Sequence, residues 1–141
     1  MTLCISFFLF RYVLYDIIFL GDAMKIEFYS LPDGSEPVKD FLESLDTKMR
    51  AKVVRSIDLL EMFGSQLREP DSKELDDGIM ELRTTFGGNI SRVLYFFIVG
   101  NTAVLTNGFI KKTVKTPSKE ILLAKKYRDD YKRRNLHDDL G

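Results

Sequence analysis

The spacing of apolar residues predicts a strand and then two helices in the first half of the domain. Ile26 to Tyr29 is typical of a short edge strand, and Ser35, after a Pro-Asp-Gly turn, is placed to cap a helix. A second helix is predicted to begin at Asp46-Thr47 and to end at Gly64. The apolar faces of the two helices are Val38, Phe41, Leu42 and Leu45 in the first, and Val53, Ile57 and Leu60 in the second. Together they predict a helical hairpin.

The second half predicts a three-strand meander and a final helix. Gly87-Gly88 and Gly100-Asn101 are expected to close two hairpins. Thr116-Pro117 is typical of a helix start, with a cap followed by a proline in the first turn. The stretch before the meander, Gln66 to Asp77, reads as a charged loop. The predicted strands are Ile79 to Phe86, Ile90 to Val99 and Thr102 to Ile110.

This order of elements predicts an α+β domain with helices packed on an antiparallel sheet. The last two strands are apolar on both faces at their middles, as expected of central strands that are covered on both sides. A chain of 141 residues is long enough for one apolar core. We expect the domain to span residues 24–134, with a polar tail at 135–141.

Residues 1–23 differ in kind from the rest, being apolar and aromatic but interrupted by Arg11 and Asp16. Each interior charge costs about 2.5–3.5 kcal/mol in a membrane span, so a spanning helix is disfavoured. Gly21-Asp22-Ala23 resembles a small-residue cleavage site, although the segment lacks a basic start. Three interpretations stay open: an extension with no role in the domain, a membrane-associating helix, and a signal. The first, with a cytoplasmic protein starting its fold at Met24, is the expectation.

The composition excludes several kinds of chemistry. The single cysteine, Cys4, rules out an internal disulfide framework and a cysteine-based zinc site. The single histidine, His137, lies in the polar tail, so neither a Ser-His-Asp triad nor a histidine metal cluster can form. Neither of these two kinds of metal centre is therefore expected, and the sequence gives no indication of a cofactor.

Charge is unevenly distributed although the formal net charge is zero. The segment Lys111 to Arg134 holds ten Lys/Arg and three Asp/Glu, a net +7 that the remainder must balance with −7. Such asymmetry favours contact with a polyanion, although Lys125 to Arg134 is also typical of a solvated helix. The acidic residues Glu69, Asp71, Glu74, Asp76 and Asp77 read as a solvated loop, with contact to a basic partner as the alternative.

Counting outward from Gly87-Gly88 predicts a pair of facing arginines. Phe86 would pair with Asn89, which places Arg83 directly opposite Arg92. Like charges that face each other across a sheet are destabilising unless an anion lies between them. The pattern therefore indicates a site that holds a phosphate.

The alternation of side chains along the strands gathers further polar residues on the same face. With Val99 opposite Thr102, Arg92 pairs with Phe109, and Lys111 follows one pleat further on. Arginine binds phosphate through its planar fork, lysine adds a mobile charge, and Phe109 offers a ring for a base to stack on. Glu81 could equally form a structural ion pair, and both arginines could instead bind the C-terminal tail. The shared face comprises Glu81, Arg83, Arg92, Asn107, Phe109 and Lys111, with Lys112 and Lys115 beside it.

One combined motif runs through the second half of the domain. Its residues are Lys73, Leu75, Asp77-Gly78-Ile79, Glu81-Leu82-Arg83, Arg92 to Phe96, Gly108-Phe109, Lys111-Lys112, Lys115-Thr116-Pro117, Glu120-Ile121 and Ala124. In these residues the chain resembles the HigB-like branch of the RelE toxin superfamily. The similarity covers residues 24 to about 131 in order and spacing.

The resemblance implies a RelE-like fold and the toxin of a bacterial or phage type II toxin–antitoxin system. Such a toxin is a metal-independent endoribonuclease that cuts mRNA, usually in the ribosomal A site, and is silenced by a helix-turn-helix antitoxin. Arg83, Arg92, Lys111 and Lys112 would be catalytic, whereas Glu81, Asn107, Phe109 and Lys115 would bind substrate. The chain departs from the family in its neutral net charge and in having no histidine at the site. Tyr127 and Tyr131 are candidates for an aromatic group near the C-terminus.

Two hypotheses follow for the activity. In the first, the RNA 2′-hydroxyl attacks the adjacent phosphorus, the arginines hold the phosphate oxygens, and Lys111 or Lys112 transfers protons, with Glu81 as the alternative base. In the second, the protein is a toxin-like module that binds RNA or an antitoxin without cleaving.

Overall fold

The computed structural model describes residues 24–99, 101–112 and 114–136, which form five strands and three α-helices. The predicted extension at 1–23 and the tail beyond residue 136 lie outside the described residues. A short 3₁₀ helix, Gly64–Gln66, follows the second helix. The elements in chain order are β1 (Lys25–Phe28), α1 (Pro37–Ser44), α2 (Thr47–Phe63), β2 (Ser72–Asp76), β3 (Ile79–Phe86), β4 (Asn89–Ile98), β5 (Thr102–Lys111) and α3 (Ser118–Leu136). The predicted α+β class is confirmed.

The five strands form one sheet in the order β1-β5-β4-β3-β2. The predicted antiparallel meander β3-β4-β5 is confirmed, and β2 joins it in antiparallel fashion. β1 pairs with β5 in parallel, so the prediction of an antiparallel sheet is wrong for this strand. The helical hairpin α1–α2 carries the chain from one edge of the sheet to the other. β1 is therefore not joined to its neighbour by a tight turn, and it can run parallel to it.

The segment Gln66 to Asp77, predicted as a charged loop, contains the edge strand β2. Lys73 and Glu74 are exposed on it, and only Ser72 is buried. Charged side chains on an edge strand discourage pairing with other chains. They also remove the apolar alternation by which a strand is recognised in sequence, which explains why this strand was missed.

Two apolar layers cover the two faces of the sheet, as the apolar middles of the central strands predicted. On one face α1 and α2 pack through Val38, Val53 and Leu60 against Leu82 and Tyr95. On the other face α3 packs against the sheet, through Ala124 and Tyr131 with Ile79, Leu94 and Phe96 among their partners. Any side chain that points out of the middle of the sheet is consequently buried under a helix.

The helix boundaries confirm some of the predicted caps and correct others. Asp46 accepts a hydrogen bond from the Met49 amide at 2.8 Å, and Gly64 ends α2 with φ of 55°. Ser35 does not cap α1, because Glu36 is the N-cap residue and Pro37 follows in the first turn. The Ser35 hydroxyl instead donates to Asp33 at 2.6 Å within the preceding turn.

The β3–β4 hairpin has the predicted register. Gly87 and Gly88 have φ of 57° and 82°, the left-handed pair that a two-residue hairpin turn requires. Phe86 pairs with Asn89, and Arg83 lies opposite Arg92. The facing arginines are therefore confirmed.

The β4–β5 hairpin reaches its predicted register at the site by a different route. Ile98, and not Val99, pairs with Thr102, so the predicted turn is wrong by one residue. A bulge at Thr106 on β5, opposite the step from Leu94 to Tyr95 on β4, then shifts the register by one residue. Beyond the bulge Arg92 lies opposite Phe109, and Ile90 lies opposite Lys111, as predicted.

Among the described helices, none combines the length and the apolar character that a membrane crossing needs.

Candidate functional site

A buried carboxylate, Glu81, lies at the centre of the candidate site. Its side chain is 1% exposed, and its Oε1 lies 2.6 Å from Arg92 Nε and 3.5 Å from Arg83 Nε. Its Oε2 accepts a hydrogen bond from the Thr116 hydroxyl at 2.6 Å. The register of the β3–β4 hairpin thus brings both arginines to one carboxylate. We call Glu81, Arg83, Arg92 and Lys111 the central cluster.

The central cluster keeps an excess of positive charge. Three cations share one carboxylate, so the formal sum is +2. Burial lowers the pKa of Arg92, and the nearby Arg83 lowers it further, but a guanidinium stays protonated in proteins. Burial is also the main reason why the pKa of Lys111 lies below its usual value, with Arg92 as the next cause. Lys111 is therefore the cation most easily deprotonated here.

The two arginines differ in how they are held. The side chain of Arg92 is 7% exposed, and its Nη1 is buried without a hydrogen-bond acceptor among the described residues. Its Nε is close to Glu81 Oε1, but the N–H does not point along that line, so the contact is an ion pair and not an aligned hydrogen bond. The side chain of Arg83 is 26% exposed and reaches the surface. Both arginines retain donor capacity for an anionic ligand.

The remaining lysines and the aromatic residue lie beside the central cluster. Phe109 is half-buried and packs against the apolar layer under α3, which leaves part of the ring accessible. Lys112 and Lys115 are exposed in the segment that joins β5 to α3. Both stay predictions as site residues.

Asn107 shares the face of the cluster but lies beneath the start of α3. It is 4% exposed, and its amide group donates to the Glu120 carboxylate at 2.9 Å. Its side-chain oxygen accepts from the Thr106 hydroxyl at 2.7 Å. These contacts join the bulge of β5 to α3, so the structure gives Asn107 an anchoring position.

Thr116 is a site residue that the sequence analysis assigned to another task. It was expected to cap α3, but that helix begins at Ser118, and the Thr116 hydroxyl binds Glu81 instead. Glu81 and Thr116 are 35 residues apart in the chain. No local pattern signals this contact, because it depends on how the β5–α3 segment folds back over the sheet.

A cleft opens beside the central cluster, at the edge of β3 beyond its pairing with β2. We call it the edge cleft; its volume is about 440 Å³. Arg83 and Arg92 line it from the sheet, and Lys52 and Arg55 line it from α2. Sequence analysis missed the two α2 residues. Their spacing of three does place them on one helix face, but that face reads as solvated.

Two basic residues of the C-terminal helix α3 form ion pairs within the protein. Lys125 pairs with Asp76, and Arg128 binds Asp77 at 2.8 Å. The acidic segment is therefore not wholly a solvated loop: its last two residues tie β2 and the β2–β3 turn to α3. The pairing of Asp76 and Asp77 with α3 is sufficient for this conclusion, whatever the positions of Glu69, Asp71 and Glu74.

Tyr127 and Tyr131 serve the packing of α3. Tyr131 donates to the Glu27 carboxylate at 2.9 Å, and its ring meets Phe96 edge-on. Tyr127 stacks on Tyr29 with the ring centroids 4.5 Å apart. Burial raises the pKa of Tyr131 to about 12, so its hydroxyl is a poor proton acceptor or donor near neutrality. Neither ring lies in the central cluster as described above.

Metal ligands are not grouped in the part of the chain that the structure describes. No three His, Cys, Asp or Glu side chains there are placed to hold a metal ion.

The fold and the cluster together describe a small α+β protein with an arginine pair and a lysine set against one end of its sheet. Residues 40–129, more than half of the chain, match the family described as Phage derived protein Gp49-like (DUF891). The protein belongs to this family, which comprises toxin-type proteins similar to the RelE and HigB toxins. A comparison with curated proteins found no match.

Proposed function

We propose that the protein is the toxin of a type II toxin–antitoxin system, of the HigB-like branch, and that it is a metal-independent endoribonuclease acting on mRNA. The observation that carries the proposal is the confirmed pairing of Arg83 with Arg92 around one carboxylate, beside a lysine of lowered pKa. Membership of a toxin-type family supports it. The RelE-like arrangement, the cytoplasmic location, the ribosome as the place of cleavage and a helix-turn-helix antitoxin as partner belong to the same proposal.

The proposed reaction uses the RNA's own nucleophile. The 2′-hydroxyl loses its proton to a base and its oxygen attacks the adjacent phosphorus. The bond from phosphorus to the 5′-oxygen then breaks, and that oxygen takes a proton from an acid. The products are a 2′,3′-cyclic phosphate and a 5′-hydroxyl. Arg83 and Arg92 hold the non-bridging oxygens while negative charge builds on them.

Lys111 is the favoured base. Its lowered pKa gives a larger neutral fraction than an ordinary lysine has, and neutral lysine accepts a proton. Glu81 is less suited, because both of its oxygens are engaged, one by the arginines and one by Thr116. Lys112, exposed in the next segment, is the second candidate for proton transfer.

The alternative function is a toxin-like module that binds RNA or an antitoxin without cleaving. One observation favours it. Glu81 already forms ion pairs with both arginines, so an anionic ligand has to compete with this internal carboxylate. The excess positive charge of the central cluster would still attract RNA in this case.

The test compares cleavage by the wild-type protein with that by Arg83→Ala and by Arg68→Ala. Arg68 is an exposed arginine outside the central cluster and so a matched control. Wild type and Arg68→Ala are expected to leave cyclic phosphate ends, with Arg83→Ala about 10²–10³-fold slower. RNA with a 2′-deoxy nucleotide at the cut position is expected to survive. Its cleavage would refute the mechanism, and failure of wild type to cut any RNA would favour the binding module.

In cells, 5′ ends of mRNA mapped after brief induction test where cleavage occurs. Ends in register with codons are expected if the ribosome presents the mRNA. Equal growth arrest by wild type and Arg83→Ala would count against the assigned site.

A further inference from the structure

The edge cleft is joined to the central cluster but is not explained by it. Arg83 and Arg92 belong to both, so a phosphate held by the two arginines would also adjoin the cleft. The other wall comes from α2, which supplies Lys52 and Arg55. The Thr84 hydroxyl on β3 donates a hydrogen bond of 2.7 Å to the Ser56 hydroxyl on α2, which joins this part of α2 to the strand.

The lining of the cleft combines charge with apolar surface. Lys52, Arg55, Arg83 and Arg92 contribute four cations, against the single carboxylate of Asp71. Leu59, Pro70 and Ile90 contribute apolar surface. Sites of roughly 300–1,000 Å³ with a few placed polar groups hold small ligands, and the volume of about 440 Å³ falls in this range. An anionic ligand with one flat apolar part fits this lining.

We propose that the edge cleft binds one nucleotide of single-stranded RNA next to the phosphate held by Arg83 and Arg92. Lys52 and Arg55 hold the flanking phosphate, and the base lies against the apolar wall. The choice of RNA as ligand rests on the proposed function.

The geometry favours a single strand over a duplex. A base that enters a cleft of this size has to leave its stack, which costs a few kcal/mol in a duplex and little in a single strand. Lys52 lines the cleft, and its Nζ lies 5.8 Å from the centroid of the Phe86 ring, a cation–π distance.

The experiment measures binding of a short single-stranded RNA in which every 2′-hydroxyl is methylated, so that 2′-hydroxyl attack cannot occur. Fluorescence anisotropy over a range of salt concentrations compares wild type, Lys52→Ala and Lys39→Ala. Lys39 is an exposed lysine of α1 that does not line the cleft, so it controls for loss of one charge. Lys52→Ala is expected to weaken binding roughly tenfold. It should also reduce the slope of log affinity against log salt by about 0.7.

Equal affinities and slopes for Lys52→Ala and Lys39→Ala would overturn the inference. So would equal competition by a duplex of the same RNA. If wild type cleaves RNA but Lys52→Ala binds it as tightly as wild type does, the edge-cleft proposal fails and the proposed function stands. If wild type never cleaves, while Lys52→Ala binds more weakly than Lys39→Ala, the proposed function fails and the binding site stands. Unfolding curves in urea for all three proteins establish that the comparison is made between folded chains.

Discussion

At the scale of single residues, the two arginines of the central cluster have unequal duties. Arg92 is almost fully buried against Glu81, whereas Arg83 is partly exposed and 3.5 Å from the same carboxylate. Removing one partner of a buried ion pair leaves an uncompensated charge, which is costly. Arg92 therefore supports the fold as well as any ligand, and Arg83 is the cleaner probe of function.

We predict that Arg92→Ala lowers the free energy of unfolding by about 3–5 kcal/mol, because Glu81 loses its closest cation. Arg83→Ala is expected to cost about 1 kcal/mol or less, since its pairing is longer and partly solvated. Urea unfolding followed by circular dichroism measures both. Equal losses in the two variants would show that the carboxylate is balanced equally by the two arginines.

The pH dependence of cleavage tests the role of Lys111. If neutral Lys111 is the base, kcat/KM rises with pH as the lysine deprotonates, with an inflection below the usual value of 10.5. Lys111→Arg keeps the charge but cannot deprotonate, so the inflection should vanish and the rate should fall about 10²–10⁴-fold.

Lys112→Arg tests the second candidate for proton transfer, and it should keep the inflection if Lys111 is the base. Loss of the inflection in Lys112→Arg, and not in Lys111→Arg, would assign the base to Lys112.

The sequence predicts those parts of the site that depend on strand alternation. Arg83 opposite Arg92 follows from a two-residue turn and a period of two. The partners that come from distant segments do not follow from such local rules. Thr116 reaches Glu81 from the β5–α3 segment, and Lys52 reaches the edge cleft from α2, because of how the layers pack.

At the scale of elements, boundaries with strong local chemistry were predictable. Asp46, Gly64 and the pair Gly87-Gly88 each act through their own backbone or side chain within a few residues. β2 was not predicted, and neither was the parallel pairing of the edge strand β1, because both depend on which sheet edge is free. That information lies in the path of the helical hairpin and not in the strands themselves.

The close packing of α1 on β5 gives a prediction at this scale. A Cβ at Gly108 would lie 2.3 Å from the Phe41 ring, which is shorter than any normal contact. The Phe41 side chain or the backbone would have to move, and such overpacking is destabilising. Gly108→Ala is expected to lower the free energy of unfolding by about 1–3 kcal/mol, measured in urea.

The double variant Gly108→Ala, Phe41→Leu should recover part of this loss, because a smaller side chain frees the space. A double variant whose losses simply add would show that the two residues do not clash.

At the scale of the whole molecule, the zero net charge hides an uneven distribution of basic and acidic residues, some of which pair with each other within the fold. The net +7 of residues 111–134 is partly consumed where Lys125 and Arg128 hold the end of β2 and the β2–β3 turn. The proposed RNA contact instead involves Lys111 and Lys112 at the start of this segment and Lys52 of α2. The uneven distribution was visible in sequence, but its division between internal pairs and open surface was not.

This division predicts which lysines contribute to the salt dependence of RNA binding. Lys112→Ala is expected to reduce the slope of log affinity against log salt by about 0.7, since it follows the central cluster on an exposed segment. Lys126→Ala, at an exposed position of α3, should leave the slope unchanged. The measurement is a salt titration with methylated RNA. A loss of slope in Lys126→Ala would extend the RNA surface onto α3.

The additional residue in β5 has a consequence for how the chain tolerates change. Without the bulge, Thr106 would lie opposite Leu94, and the pairing of Ile98 with Thr102 would continue unshifted and place Gly108 opposite Arg92. Phe109 and Lys111 would then turn toward the opposite side of the sheet, away from the arginines. The bulge thus separates two registers of the β4–β5 hairpin. The loop between Ile98 and Thr102 can set the pairing at one end, while Arg92 and Lys111 keep their common face at the other.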